Sequence, residues 1–411
     1  MANKNLGTAK KAKNDEFYTQ YADIQKEIEA YLEFDPNTFK DKVVYCNCDD
    51  PYESNFFRYF VLNFKRLGLK KLITTSYKPS PIANTEVQLT LEVFNGEKPT
   101  EKKIEIKGRP KVTANKFIIS DVGDYDGDGQ FSLQDVAKQL KDNKHNEWSP
   151  LDEDGDFRSD ECVELLKQSD IVVTNPPFSL FREYMAQLVE HNKKFCIIGN
   201  KNAVTYKEIF PLIKENKVWY GPSITGGDRE FQVPAGVVLH SSSQRTDEKG
   251  NKFVRVPGVH WFTNLDHGRR HQPLSLMTMS DNLKFNKKMA GKTDYDRFDN
   301  YDAIEVPFTD SIPSDCNGVM GVPITFLDKY DPEQFEILGI SKTWYNFANK
   351  IYPAQIQVSK NGATSTVSKL NDGVTIQFDT PPLGDTYYIV DGKYYKQLYA
   401  RIFIQHRKAT A

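Results

Sequence analysis

From about residue 20 to residue 220, short runs of consecutive apolar residues alternate with longer stretches in which apolar residues recur every three or four positions. The runs Val43-Val44-Tyr45-Cys46-Asn47, Leu72-Ile73-Thr74-Thr75-Ser76, Phe117-Ile118-Ile119, Ile171–Thr174, Phe195–Gly199 and Val218-Trp219-Tyr220 read as short buried strands. Between them, Tyr21–Leu32 places Ile24, Ile28 and Leu32 on one helical face. Further helices are predicted over Ser54–Leu67, Ser159–Lys167, Ser179–Glu190 and Tyr206–Glu215. Val87–Lys107 alternates with period two on both sides of a Gly/Pro turn and reads as a hairpin. Strands alternating with helices predict an α/β fold with a parallel or mostly parallel sheet, doubly wound and covered on both faces. Ligands of such sheets lie beyond the strands' carboxyl ends, where Asn47, Ser76 and Asn175 fall.

After about Val238 the texture changes. Lys252–Val256, Val259–Asn264, Gln355–Val358, Val374–Phe378 and the stretch Tyr387–Tyr395 around Asp391-Gly392 are strand-like and separated by turn signals. The expected organisation is therefore a disordered basic tail at 1–13, a first domain over 14–240 and a β-rich region over 241–411. A chain of 411 residues has room for both.

Composition narrows the setting. No apolar stretch approaches the ~20 residues that cross a bilayer, and the charged N-terminus has no hydrophobic core of a secretory signal. The five cysteines are scattered without a CxxC pair, which points to a reducing, cytoplasmic interior. The net charge of −2 hides a local excess: Ser241–Lys292 carries ten Lys/Arg against four acids, with His260, His267 and His271 among them. A basic segment on a near-neutral protein suits a nucleic-acid face, and equally an ordinary solvated surface.

The most specific chemistry is Thr174-Asn175-Pro176-Pro177-Phe178, closing the run Asp170–Val173. Two prolines without N–H groups force the chain out of the sheet in a rigid, extended turn. The Asn175 side-chain oxygen and the Pro176 carbonyl are both acceptors, and an exocyclic amine has two hydrogens to donate. Phe178 adds a flat face for a base swung out of its stack. This is the turn expected of an enzyme that methylates such an amine; the alternative is a proline-terminated strand with a core phenylalanine.

An S-adenosylmethionine enzyme would bind its cofactor across the first strand ends, usually on a glycine-rich loop. Here the loop is Asn47–Phe56, with Asp50-Pro51 present but Ser54 and Phe56 where glycines are expected. Asp156-Phe157 precedes a helix and is placed to contact an adenine amine and ring, or simply to cap that helix with Ser159. No GxGxxG follows a strand and no GxxxxGK[ST] occurs, so dinucleotide and P-loop readings have no support. Asp124, Asp126, Asp128 and Asp135 have the spacing of a calcium loop with Gly129 at its sixth position, but the flanking helix pair is missing. A plain Asx-rich turn explains the same residues, and no metal is assigned.

Together these motifs resemble the EcoRI-type family of adenine-specific DNA methyltransferases. The resemblance runs from Asn14 to about Arg401, through Asn14–Gln20, Gly155–Glu161, Thr174–Tyr184, Lys194–Ala203, Asn300–Val306 and Gly318–Gly339. It implies a Rossmann-like methyltransferase sheet with a C-terminal β-rich DNA-recognition region, and S-adenosylmethionine as cofactor. It further implies that Phe17, Tyr18 and Thr19 touch the methionine end, with Asn47, Asp50 and Pro51 in the first cofactor loop. Asp156 and Phe157 would meet the adenine, and Asn175, Pro176, Pro177 and Phe178 would form the catalytic turn. Thr75-Ser76-Tyr77 follows the second strand where an acidic ribose ligand is expected. The implied reaction is site-specific methylation of adenine N6 on a flipped-out base in duplex DNA, in restriction–modification or DNA protection. A cognate restriction endonuclease would act as a separate protein, and no membrane is involved. Arg255, Trp261, His267, Arg269 and Arg270 are the candidate base readers. Two competing readings are a protein-glutamine N-methyltransferase using the same turn, and a non-catalytic DNA- or calcium-binding module; N4-cytosine methylation is less favoured by Asn before the prolines.

Overall fold

The continuous apolar runs form the centre of a sheet, because a strand apolar on both faces is stable only when covered on both. In the computed structural model, the described residues are 19–48, 54–76, 114–125, 127–129, 131–142, 145–224, 229–232, 244–248, 250–382 and 384–407. The tail at 1–13 and the hairpin expected at Val87–Lys107 lie outside them. The chain divides into two compact units, residues 1–201 with 220–267, and residues 202–219 with 268–411. The division falls after His267 and not at residue 240, because the chain returns to the first unit to complete its sheet.

The strands of this part are β1 (Val43–Asn47), β2 (Lys71–Thr75), β3 (Asn115–Ile119), β4 (Asn146–Pro150), β5 (Ile171–Thr174), β6 (Lys194–Asn200), β7 (Trp219–Tyr220), β8 (Arg229–Gln232), β9 (Gln244–Thr246), β10 (Lys252–Val256) and β11 (Val259–Thr263). The large sheet has the order β4-β3-β2-β1-β5-β6-β11-β7, and β8-β10-β9 form a small separate one. Its four central strands, β2-β1-β5-β6, are parallel. At the edges the direction departs from that expectation: β3 runs against β2, β4 against β3, and β11 against β6. In register, Asn47 lies opposite Thr75, and β5 ends at Thr174, so the three carboxyl ends share one edge of the sheet.

Alternation along the strands separates two cores. Val44, Cys46, Leu72, Phe117, Val173, Ile198 and Trp261 pack on one side with Ile24, Ile28, Phe56, Phe57 and Phe60 of the helices Tyr21–Phe34 and Asn55–Leu62. On the other side Phe181 of the Phe181–Glu190 helix meets Phe262 at 4.9 Å. That packing explains Gly199, where a Cβ would fall 2.4 Å from the Phe181 ring. The helix expected over Tyr206–Glu215 is only Phe210–Lys214: Pro211 lies in its first turn, and without an N–H it cannot continue a helix arriving from upstream.

The second unit carries β12 (Ile304–Glu305), β13 (Met320–Pro323), β14 (Phe335–Ile340), β15 (Gln355–Val358), β16 (Thr364–Val367), β17 (Thr375–Phe378), β18 (Tyr387–Val390), β19 (Lys393–Gln397) and β20 (Arg401–His406). They form sheets of order β12-β13-β20-β14 and β16-β15-β18-β19-β17, so the β-rich texture is realised. Arg401 and Glu305 make a buried ion pair at 2.6 Å between strands β20 and β12. Burial pushes the Glu305 carboxyl up in spite of that partner. The cost of desolvating the two charges offsets much of their attraction. Among the described residues no helix is long and apolar enough to cross a membrane.

One buried acid in the first unit has no ion-pair partner of this kind among the described residues. Glu27 is fully buried, accepting from Tyr31 Oη at 2.6 Å and the Ser223 amide at 2.9 Å. Gly221 is required beside it, since a Cβ there would lie 1.9 Å from Glu27 Oε1. Burial raises the Glu27 carboxyl above its ordinary 4.5, outweighing hydrogen bonds that favour the ionised form. The folded state thus holds this proton more tightly than the unfolded state. The stability it contributes is fully present below pH 4.5 and is lost as pH rises through the elevated folded value. Glu27→Gln removes that linkage, so urea titrations should show the wild type losing stability relative to the variant as pH rises through this window. A difference independent of pH would refute the assignment.

Candidate active site

Two strand ends are tied together at the sheet's carboxyl edge. Asn47, the last residue of β1, is 1% exposed. Its main-chain oxygen accepts from Thr174 Oγ1 at the end of β5, and its side-chain Oδ1 accepts from the Tyr184 hydroxyl. Asn175 follows half-buried, Pro176 and Pro177 are buried, and Phe178 is half-buried against the first unit's core. The Leu180 amide closes onto the Pro177 carbonyl at 2.9 Å, turning the chain into the Phe181–Glu190 helix. The prolines therefore do what their chemistry requires, ending the strand and fixing the exit.

The loop after β1 opens on a left-handed residue. Cys48 has φ 65°, a conformation in which a non-glycine residue costs ~1 kcal/mol. Ser54 ends the loop by accepting from the Phe56 and Phe57 amides at 3.1 and 3.3 Å, capping the next helix. Asn55 Nδ2 donates to the Thr19 carbonyl at 2.8 Å, which brings buried Thr19 to this loop. Phe17, Tyr18, Asp50 and Pro51 lie outside the described residues.

The third segment reaches the same edge through a glycine. Gly155 has φ 76°, and a Cβ on it would fall 1.9 Å from the Ser76 carbonyl oxygen just past β2. Asp156 follows, gripped by its neighbour Arg158 through Nε at 2.9 Å and a second nitrogen at 2.7 Å. That carboxylate raises the Arg158 guanidinium above its already high ordinary value. Arg158 also reaches Glu183 at 2.9 Å, so Asp156 is held over the helix that follows the Asn-Pro-Pro turn. Ser159, not Asp156, caps its own helix, by accepting from the Cys162 amide. Phe157 is 3% exposed with its ring 5.0 Å from that of Tyr184, so it braces the site from within. Tyr184 and Thr174 received no role from the sequence. Tyr184 stands three residues beyond Phe181 on the sheet-facing side of a helix, a spacing that marks burial but not where a hydroxyl will bond.

Three of the five expected base readers are buried. Trp261 is fully buried in β11 and meets Phe56 edge-on at 6.1 Å. His267 is 2% exposed, with Nε2 3.0 Å from the Tyr220 carbonyl. Arg270 is 7% exposed, its guanidinium 3.5 Å from the Trp219 ring centre and bonded to Asn216. Arg255, exposed on β10, and half-buried Arg269 remain at the surface. The basic excess is also partly neutralised from outside its own segment: Arg245 pairs with Glu230 and Lys288 with Asp310.

In the calcium-like loop, Asp124 accepts from the Gly127 and Gly129 amides at 2.6 and 2.8 Å. Buried Asp135 accepts from the Tyr125 and Ser132 amides at 2.6 and 2.8 Å. These are the bonds of an Asx-rich turn. Asp126 lies outside the described residues, and among those described no group of three His, Cys, Asp or Glu is placed to hold a metal ion.

A family model for the adenine-specific methyltransferase EcoRI matches residues 5–407. The chain is 44% identical to the type II methyltransferase M.EcoRI of Escherichia coli over 340 residues, 83% of this chain and 90% of that protein. It is 38% identical to the type II methyltransferase M.MpnI of Mycoplasma pneumoniae, over 80% of this chain and 83% of that one. With M.MgeORF184P of Mycoplasma genitalium it shares 37% identity, over 80% and 84% of the two chains. No solved structure matches the chain.

Gly155→Ala should be far more damaging than the same change at Gly127, which also has a positive φ but nothing within 4 Å of an added Cβ. The common cost of the left-handed backbone is ~1 kcal/mol. The clash with a main-chain oxygen should add about 1–3 kcal/mol at Gly155 alone. Equal unfolding midpoints for the two variants would show that the close approach to Ser76 is not a constraint.

Proposed function

Because this chain belongs to the adenine-specific methyltransferase EcoRI family, it is a DNA adenine methyltransferase, and we propose that its reaction runs on the joined carboxyl ends of β1 and β5. The observation that carries this reading is the pinning of Asn47 by Thr174 and Tyr184, which puts the first loop and the Asn175 turn side by side. We read the sheet as the Rossmann-like methyltransferase type. The donor set fits S-adenosylmethionine: Thr19, Asn47 and Asp156 offer hydroxyl, amide and carboxylate groups, and Gly155 lets the segment bearing Asp156 pack against Ser76. When bound, S-adenosylmethionine supplies the methyl group as an electrophile.

The residues of the chain then have to make a poor nucleophile competent. The adenine amino nitrogen shares its lone pair with the ring. Asn175 Oδ1 and the Pro176 carbonyl each accept one of its hydrogens, which favours a more tetrahedral nitrogen with its lone pair directed at the methyl carbon. As the nitrogen–carbon bond forms and the carbon–sulfur bond breaks, the same acceptors hold the amine hydrogen that departs as a proton. Positioning and preorganised dipoles of this kind each contribute several kcal/mol. The base must leave the helix to reach them, at a cost of about a few kcal/mol that stacking on Phe178 offsets. The β-rich unit, which includes Arg269, takes the duplex and its sequence.

Asn175→Ala should lower turnover by about 10²-fold or more while duplex affinity stays near wild type. Long-read sequencing of DNA from a methylation-free host is the direct readout, with N6-methyladenine at one short motif in the wild type and its loss in the variant. Turnover at the wild-type rate in Asn175→Ala would dismiss the catalytic assignment.

A further inference from the structure

Tyr184 is the point where the separate segments of this site converge. It is fully buried, its hydroxyl donates to Asn47 Oδ1, and its ring lies edge-on to Phe157 at 5.0 Å. Its helix is the one launched by the Asn-Pro-Pro-Phe turn, and its neighbour Glu183 holds Arg158, which in turn holds Asp156. A primary amide has one acceptor oxygen and an NH2 with two donors. Tyr184 engages the oxygen, and Thr174 engages the main-chain carbonyl of the same residue. The group left for Asn47 to present to a ligand is its NH2.

We propose that Tyr184 is a positioning residue, which locks the Asn47 amide so that its nitrogen donates to an oxygen acceptor of the bound methyl donor. The proposal rests on the reading of Asn47 as a cofactor contact and adds the direction of that contact and the residue that sets it. A tyrosine hydroxyl suits the task. It is an uncharged donor on a ring packed in the core, so it orients the amide without placing a charge beside a cationic sulfonium.

Calorimetric binding of S-adenosylmethionine and S-adenosylhomocysteine to the full chain tests this, with steady-state kinetics alongside. Tyr184→Phe keeps the ring and deletes the hydroxyl. It should raise Kd for both compounds roughly tenfold, the scale of one buried hydrogen bond. KM for the methyl donor should follow, with saturated kcat changed by no more than about twofold. In an Asn47→Ala background the same substitution should add nothing to Kd, whereas additive effects would reduce Tyr184 to packing and overturn the proposal. Wild-type Kd in Tyr184→Phe together with weakened binding in Asn47→Ala overturns the positioning role and leaves the cofactor reading intact. Wild-type Kd in Asn47→Ala overturns the cofactor reading itself, and the proposal with it. Asn47→Asp covers the case in which the alanine variant does not fold, as judged by circular dichroism. It keeps an acceptor for Tyr184 but has no NH2, so lost binding supports the assigned direction and retained binding refutes it.

Discussion

Everything proposed for this protein depends on how the end of β1 is held. In an open parallel sheet the strand ends are free main chain, and nothing in the sheet's own hydrogen bonding fixes the loops that leave them. Here the last residue of β1 accepts at its main chain from the adjoining strand and at its side chain from a helix beyond that strand. The end of β1 and the start of the Asn-Pro-Pro turn are thereby tied to each other. Ser54 caps the far end of the first loop, and Gly155 brings the third segment against Ser76. Fixed dipoles along such an edge are what lowers a barrier without reorganisation.

Much of this was legible in the sequence, for a specific reason. The strands β1 and β5 are runs of apolar residues bounded by polar ones, and both were expected with the bounds they have. A fully buried strand has no polar face to blur its pattern. The short helix at Phe210–Lys214 was overestimated because Pro211 was counted as part of a periodic stretch instead of its start. Strand direction at the edges, in β3, β4 and β11, was not legible: direction depends on the path of the connection, which periodicity does not encode.

The candidate site divides in the same way. Residues that act through main-chain geometry, such as the two prolines and Ser54, announce themselves by type. Residues that act through a side chain's partner do not. Trp261, His267 and Arg270 were named as candidate base readers from their chemistry and from the basic residues around them. Aromatic packing and carbonyl partners bury all three instead. Tyr184 is the converse, a tyrosine that looks like core and carries a directed hydrogen bond.

The chain's path between its units bears on how the protein is made. It passes from the first unit to the second after Lys201, back after Trp219, and out again after His267. A ribosome therefore delivers the strands that end at Asn47 and Thr174 long before it delivers β11, the neighbour of β6. Until residue 263 has emerged, β6 is an exposed edge with Ile198 lacking its partner Trp261. The unit proposed to bear the chemistry is thus begun first and closed only after part of the other has been synthesised. No single cut of the chain can separate the two.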